Sequence, residues 1–316
     1  MSLNHLNPEV IGRGLALTGG GVRGIFTACV LREFEQRLNR KIRDSFDVIS
    51  GTSVGGIIAI AIACGISCDE IAHRLLSSAD DIFGAPARFN PWKSRTSSHD
   101  PQKLAGVIED VLGDQATRKI RSLETNIVVL SVDARLNEVV YFSNIERIGT
   151  SSCKDATLLD VAMATSAAPT YFPPHKIGSE CYLDGGIVSN SPDAEALRFL
   201  QEVLLRPLEH VQLLSVGTGK TYFDFDCSNK SSHGAIAWIK KHRLIDRIMT
   251  LQESKGTELA SELLGSRYLR VDTHFEEKID LDETDQGVLR MLADRGQQVA
   301  KEKWKANPSG VASFLR

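Results

Sequence analysis

The residue best suited to chemistry is Ser53, the centre of a Gly-Thr-Ser-Val-Gly motif at residues 51–55. An apolar stretch at residues 46–50 precedes the motif, and an apolar, helix-like stretch at 57–63 follows it. A glycine-flanked turn between a strand and a helix holds a serine hydroxyl clear of the backbone at a helix N-terminus. A plain helix N-cap is the competing interpretation, but glycines on both sides favour a nucleophile that forms an acyl-enzyme.

Two further glycine-rich turns each follow an apolar stretch. Residues 19–24 read Gly-Gly-Gly-Val-Arg-Gly, and residues 184–186 read Asp-Gly-Gly. The first turn offers backbone amides and the second offers a carboxylate. Taken alone, Asp184 is an ordinary turn aspartate, but paired with Ser53 it becomes a candidate base.

The elements around these turns alternate between strand and helix. Strands are predicted at residues 14–17 and 46–49, and helices at 25–39 and 55–64. Alternation of this kind predicts an α/β fold with a mostly parallel sheet covered by helices on both faces.

The chain of 316 residues, 42% hydrophobic, is long enough to bury a full core. No linker-like segment divides it, so we expect a single domain over residues 1–316. Its catalytic core covers about 13–220, and a mainly helical extension covers about 230–316. Within the extension we expect a weak helix break at Gly256 and a final helix at 286–307.

Composition argues against several classes of protein. The net charge of −3 disfavours a basic surface for a nucleic acid polymer. Residues 1–8 lack the features of a secretory signal, which favours a cytoplasmic protein. The six cysteines have no CxxC spacing and the eight histidines form no HxxxH pair, so we expect reduced thiols, no metal and no cofactor.

Residues 19–24 also fit the GxGxxG fingerprint of dinucleotide-binding proteins, with Asp44 and Asp47 about twenty residues onward. This alternative leaves the turns at Ser53 and Asp184 unexplained. A phosphate-binding loop ending at 217–221 fails because its required first glycine is replaced by Leu214.

A histidine base is not indicated, since the four histidines after Asp184 have no distinctive setting and the serine motif comes early in the chain. The motifs and their order resemble the patatin-like phospholipases, a family with a Ser-Asp dyad. The resemblance spans residues 13–220 and includes Ala-Thr-Ser-Ala-Ala-Pro at 164–169 and Ser-Val-Gly-Thr-Gly at 215–219. Thr18 departs from it, because many members have aspartate there.

The resemblance implies the patatin-like three-layer fold and a dyad of Ser53 and Asp184. Backbone amides would stabilise the charge that develops on the carbonyl oxygen, where loss of one donor costs about 3 kcal/mol. The resemblance assigns the oxyanion hole to Gly19, Gly20, Gly21 and Val54, and it leaves open whether Arg23 supports this loop or binds a phosphate.

Residues 15–28 and 165–172 are more specifically similar to the bacterial antiphage (CBASS) phospholipase effectors that a cyclic dinucleotide activates. This implies a membrane phospholipid substrate, attack at the inner face of the membrane, and an activator such as cyclic GMP-AMP. It is compatible with a homo-oligomer. A constitutive lysophospholipase or a general esterase is the same-class alternative.

A switched phospholipase needs elements that restrain and release it. Residues 83–99 are a candidate lid, and the basic and aromatic residues 238–243 are a candidate contact for a nucleotide. For the second group, a solvated helix face is the favoured interpretation.

Overall fold

A computed structural model describes residues 11–83, 99–145, 153, 155–203, 205, 207–222, 234, 237–238 and 243–315. Its strands are β1 (Gly12–Leu17), β2 (Val48–Thr52), β3 (Asn126–Asp133), β4 (Glu138–Ser143), β5 (His175–Ile177), β6 (Glu180–Asp184), β7 (Val211–Val216), β8 (Lys220–Thr221), β9 (Tyr268–Val271) and β10 (His274–Phe275). Its helices are α1 (Gly24–Leu38), α2 (Val54–Ala63), α3 (Cys68–Phe83), α4 (Pro101–Leu112), α5 (Leu158–Thr165), α6 (Asp193–Val203), α7 (Leu244–Leu264), α8 (Gln286–Ala306) and α9 (Pro308–Phe314).

The main sheet has the order β5-β6-β3-β2-β1-β7-β9, with β4 paired to β3 outside this path. The pairs β1–β2, β1–β7, β2–β3 and β7–β9 are parallel. The pairs of β3 with β4 and with β6, and of β5 with β6, are antiparallel. The predicted mostly parallel sheet is therefore confirmed.

Side chains alternate between two cores along the strands. In β1, Leu15 and Leu17 belong to the larger core, and Ala16 belongs to the smaller one. The larger core also contains buried residues of α1 to α5 and α8, whereas the smaller contains residues of α6 and α7. Since successive strand residues point to opposite faces of a sheet, helices cover both faces and form three layers.

Two strands, β2 and β6, meet end to end along one edge of β3. On the opposite edge, β4 pairs with β3 from Val128 to Asp133. The first edge is shared: β2 pairs up to Leu130, and antiparallel β6 pairs from Ser131 onward. The C-terminal ends of β2 and β6 therefore converge at Leu130–Ser131, and the residues that follow them are brought close together.

The C-terminal extension differs from the sequence prediction in two respects. The unpredicted strand β9 joins the sheet beside β7, so the extension is not solely helical. The expected break at Gly256 is wrong, because α7 runs through it without interruption. A side chain at Gly256 would place its Cβ 2.9 Å from the carbonyl oxygen of Ser191, so glycine is explained by close packing. The helix predicted at 286–307 is confirmed as α8, and the short helix α9 follows it.

The described part of the chain contains no helix that is long and apolar enough to cross a membrane. In the same residues, no group of three or more His, Cys, Asp and Glu side chains is arranged to hold a metal ion. The described cysteines are free thiols, and burial raises the pKa of Cys64 to about 11.

Candidate active site

Ser53 occupies the single-residue turn between β2 and α2. Its backbone angles are φ 54° and ψ −129°, a left-handed conformation that costs a non-glycine residue about 1–3 kcal/mol. The Ser53 amide donates to Thr165 Oγ1 (2.9 Å), which in turn donates to the Leu130 carbonyl (2.5 Å). Thr165 therefore anchors the turn, and the Ser53 amide is not available to a substrate.

The glycine-rich loop after β1 packs directly against Ser53. A Cβ on Gly19 would lie 3.1 Å from Ser53 Cβ and 2.4 Å from Asn190 Oδ1, so only glycine allows this approach. The Gly19 amide donates to the carbonyl of Asn190 (2.9 Å) and is therefore engaged. Its assignment to the oxyanion hole is corrected accordingly: Gly19 contributes space rather than a free donor.

Three other amides near Ser53 remain available. In the described part of the chain, neither Gly20 nor Gly21 donates its N–H to a protein acceptor, and the same holds for Val54 at the start of α2. Val54 has the additional advantage of the partial positive charge at a helix N-terminus. Gly21 and Val54 line the same cavity as Ser53, and Gly20, which joins Gly19 to Gly21, borders a second cavity, so the three amides are candidate donors to a developing oxyanion.

Asp184 is completely buried at the end of β6. Its Oδ1 accepts from the Gly186 amide (2.7 Å), whereas no described residue forms a hydrogen bond to its Oδ2. Burial raises the pKa of Asp184 to about 7, although the Gly186 amide and the Ser53 hydroxyl each lower it in part. An aspartate with this pKa is basic enough to accept a proton near neutral pH.

Ser53 and Asp184 line the same cavity, whose empty space of about 800 Å³ includes its opening to solvent. Its walls are mainly aliphatic side chains from α1 to α4, with Tyr171 and Phe172 from the segment after α5 and Met249 from α7. A concave, mainly apolar lining with a few polar groups is typical of a small-molecule site. The arrangement suits an apolar chain whose polar end lies at Ser53.

Arg23 follows the glycines of the glycine-rich loop but does not line this cavity. Its guanidinium donates to the carbonyls of Gly20 (3.4 Å) and Gly219 (2.9 Å), and burial lowers its pKa. It also lines a second, more polar cavity of about 390 Å³. Three cations border that cavity: Arg23, Arg243 and Lys278.

Arg243 and Lys278 already have acidic partners. Arg243 pairs with Asp246 and Asp280, and it donates to the hydroxyl of Tyr171 (2.6 Å). Lys278 pairs with Asp280 (2.9 Å). No carboxylate within the described ranges forms an ion pair with Arg23, although Glu253, Asp246 and Asp272 are near enough to offset part of the lowering of its pKa by burial.

Several residues that support the site had no predicted role. Thr165 and Thr218 lie in the motifs at 164–169 and 215–219, but their hydrogen bonds could not be inferred from those motifs. Asn190, Met249 and Leu281 carried no signal. Of the candidate lid, residues 84–98 lie outside the described residues, as do residues 239–242 of the candidate nucleotide contact.

A family model described as "Patatin-like phospholipase" matches residues 15–197, which include the glycine loop, Ser53 and Asp184. The chain belongs to this family. Membership makes it a lipid-hydrolysing enzyme and removes the dinucleotide-binding alternative. The match ends before β7 and before the whole C-terminal extension.

Curated relatives resemble the phospholipase over nearly its full length. A protein named "cGAMP-activated phospholipase" from Vibrio cholerae serotype O1 is 29% identical, over 99% of this chain and 96% of its own. Proteins of the same name from Pseudomonas aeruginosa and Escherichia coli are each 30% identical, over 91% and 93% of this chain and 87% and 90% of their own. The predicted resemblance to cyclic-dinucleotide-activated enzymes agrees with these names.

Proposed function

We propose that this patatin-like phospholipase cleaves acyl esters of membrane phospholipids through a Ser53–Asp184 dyad. The observation that carries the proposal is the meeting of a strained serine turn with a buried carboxylate of raised pKa on the wall of one apolar cavity. A lipid acyl chain suits the cavity, and its ester carbonyl would then lie at the Ser53 hydroxyl.

Acylation begins when Asp184 Oδ2 accepts the proton of the Ser53 hydroxyl and Ser53 Oγ attacks the ester carbon. The carbonyl π electrons move to oxygen, where the amides of Gly20 and Gly21, with that of Val54, donate hydrogen bonds. Collapse of the tetrahedral intermediate breaks the bond to the alcohol oxygen. Asp184 returns its proton to that oxygen, which releases the lysolipid.

Deacylation repeats these steps with water. Asp184 accepts a proton from water, whose oxygen attacks the acyl-serine carbon, and collapse of the second intermediate restores Ser53 Oγ with that proton. The products are a free fatty acid and the original dyad. The unpartnered Oδ2 supports this role, since a base must keep a lone pair available.

Arg23 supports the glycine loop in this proposal. Its two hydrogen bonds to backbone carbonyls tie the loop to the turn after β7. Loss of its charge would loosen the loop. Because the Arg23 guanidinium also borders the second cavity, it would attract a phosphate group there.

We further propose that a cyclic dinucleotide activates the enzyme at the inner face of the membrane. The names of the three relatives support an activator of this class. A phospholipase without restraint would attack the membranes of its own cell, so an activating ligand also has a physiological reason.

Release of fatty acid from vesicles of phosphatidylglycerol and phosphatidylethanolamine, measured with a panel of cyclic dinucleotides that includes cyclic GMP-AMP, tests both statements. We expect one nucleotide to raise the release of fatty acid at least tenfold. We expect the Ser53→Ala variant to release no fatty acid with any nucleotide. Equal turnover with and without every nucleotide would leave a constitutive lysophospholipase or esterase. Absence of labelling of Ser53 by a fluorophosphonate would exclude the dyad itself.

A further inference from the structure

The orientation of the peptide group between Gly19 and Gly20 is fixed by hydrogen bonds to its carbonyl oxygen. Its carbonyl oxygen accepts from Asn190 Nδ2 (3.3 Å) and from Thr218 Oγ1 (3.1 Å). A trans peptide is planar, so its N–H points opposite to its C=O. Fixing the Gly19 carbonyl toward Asn190 and Thr218 therefore aims the Gly20 amide to the opposite side.

The two donors are held in place by a cluster of charged residues from the C-terminal extension. Asn190 Nδ2 also donates to Glu253 Oε2 (3.5 Å) on α7. The turn that carries Thr218 is held by Asp272, whose Oδ1 accepts from the Gly219 amide (2.9 Å). Asp272 approaches so closely that a Cβ on Gly217 would lie 2.2 Å from its carboxylate.

Arg270, on β9, joins both acidic residues. Its Nη2 donates to Glu253 Oε1 (2.8 Å) and to Asp272 Oδ2 (2.7 Å). Its Nη1 donates to the hydroxyls of Thr18 (2.9 Å) and Ser215 (2.7 Å) at the ends of β1 and β7. One side chain therefore ties the residue before the glycine loop to the residues that orient the loop.

The other end of the loop is also bonded to the extension. The Val22 amide donates to the Leu281 carbonyl (3.0 Å), and a Cβ on Gly21 would lie 2.2 Å from that oxygen. Gly21 has φ +56°, a conformation that favours glycine. Both ends of the segment with the free amides are therefore fixed by groups that follow β6 in the chain.

We propose that Asn190 and Thr218 are positioning residues that aim the Gly20 amide at the reacting carbonyl oxygen, and that the Glu253–Arg270–Asp272 cluster holds them. The inference rests on the proposed acyl transfer at Ser53. It assigns the C-terminal extension, which lies beyond the family match, a direct part in building the oxyanion hole. Misdirection of a donor by about 1 Å typically costs on the order of a hundredfold in rate.

Thr218→Val is the main test, because it removes the hydroxyl and keeps the shape of a side chain that is 1% exposed. Thr27→Val is its matched control: Thr27 is also buried, and its hydroxyl donates to the carbonyl of Gly217 (2.6 Å), the residue before Thr218, rather than to the Gly19 carbonyl. Turnover of a short-chain ester is measured per active site, titrated with a fluorophosphonate, in the presence of any nucleotide found to activate the enzyme.

We expect Thr218→Val to lower kcat about tenfold to a hundredfold with little change in KM, Thr218→Ser to restore it, and Thr27→Val to retain wild-type kcat. The affinity of a trifluoromethyl ketone, which forms an oxyanion on Ser53, should fall by the same factor as kcat. Equal kcat per active site in Thr218→Val and Thr27→Val, with unchanged ketone affinity, would overturn the proposal.

The cluster has its own variant. We expect Arg270→Gln to lower Tm and also kcat per active site, whereas Leu292→Ala, in the buried face of α8, should lower Tm alone. If both variants keep wild-type kcat per active site, the cluster is structural only. Failure of wild-type protein to label at Ser53 would instead refute the underlying acyl transfer, so the two failures are distinguishable.

Discussion

Asp184 and the Arg270 cluster are both buried and charged, but their surroundings are opposite. Among the described residues, Asp184 has one oxygen without a partner and no cation beside it, and burial raises its pKa to about 7. In the cluster, Arg270 reaches two carboxylates and three hydroxyls. Burial alone would lower the pKa of Arg270, but Asp272 and Glu253 raise it above its ordinary value. The carboxylate that must react therefore keeps one oxygen free of hydrogen bonds, whereas the charged groups of the cluster bond to one another and to neighbouring hydroxyls.

The largest effect expected from this difference is on Asp184→Asn. The amide cannot accept the Ser53 proton, so we expect kcat to fall at least about a thousandfold, as for loss of one member of a coupled catalytic unit. Stability at pH 8 should be unchanged or higher, because a desolvated charge is removed. Ester turnover and urea unfolding measure the two outcomes.

Ser53→Ala and the double variant complete this test. The losses should not add, since either substitution alone disables the same proton transfer. Near-normal turnover of Asp184→Asn would contradict the dyad and return attention to a histidine base.

The second expected effect is a loss of stability when Arg270 is replaced, opposite in sign to the effect of Asp184→Asn on stability. Arg270→Met leaves Glu253 and Asp272 with no cation between them, and we expect a loss of about 3 kcal/mol in the free energy of unfolding. Asp184→Asn at the same pH is the comparison variant. If Arg270→Met is as stable as wild type, the cluster is not what holds β9, β7 and α7 together.

This cluster could not be predicted from the sequence. Arg270 and Thr18 are 252 positions apart, and β9 was not predicted. Its sequence, Tyr-Leu-Arg-Val, contains a charged residue that reads as solvent-exposed. Only the pairing of β9 with β7 turns Arg270 toward the ends of β1 and β7, and short local patterns carry no information about such pairing.

The turns around Ser53 and Asp184 were predictable for the converse reason. Each is a strand end followed by glycines, and these features lie within a few residues of one another. Their meeting in space depends on the antiparallel direction of β6, which the alternation of strands and helices did not indicate. The family resemblance, through the order of the motifs, predicted that Ser53 and Asp184 act together. The physical reason that they meet is the pairing of β2 and β6 with adjacent residues of β3.

The third prediction is a pH dependence with opposite signs for activity and stability. Asp184 must be ionised to act as a base, so activity should rise about tenfold per pH unit below pH 7 and level off above it. Its pKa is raised from 3.8 to about 7 on folding, so the folded state binds more protons between these values. Stability should therefore fall as pH rises through this window, by about 4 kcal/mol in total or 1.4 per unit.

The difference between wild type and Asp184→Asn isolates this group, since all other titrations are shared. We expect the difference in unfolding free energy to widen from pH 4 to pH 7 and then to stay constant. A difference independent of pH would show that the pKa of Asp184 is not raised, and the contrast with the Arg270 cluster would be lost.

The smallest expected effect distinguishes two buried serines, one beside the active-site cavity and one in contact with Arg270. Ser166 Oγ borders the apolar cavity and has no hydrogen-bond partner in the part of the chain that the structure describes, whereas Ser215 Oγ accepts from Arg270 (2.7 Å). Replacement by alanine removes an unsatisfied hydroxyl in the first case and a bond to a charged group in the second. We expect Ser166→Ala to be neutral or to stabilise the fold slightly, and Ser215→Ala to cost about 1–3 kcal/mol. Urea unfolding at one pH gives both values, and equal losses would mean that Ser166 has a partner in solution and that the cavity is wetter than its apolar walls indicate.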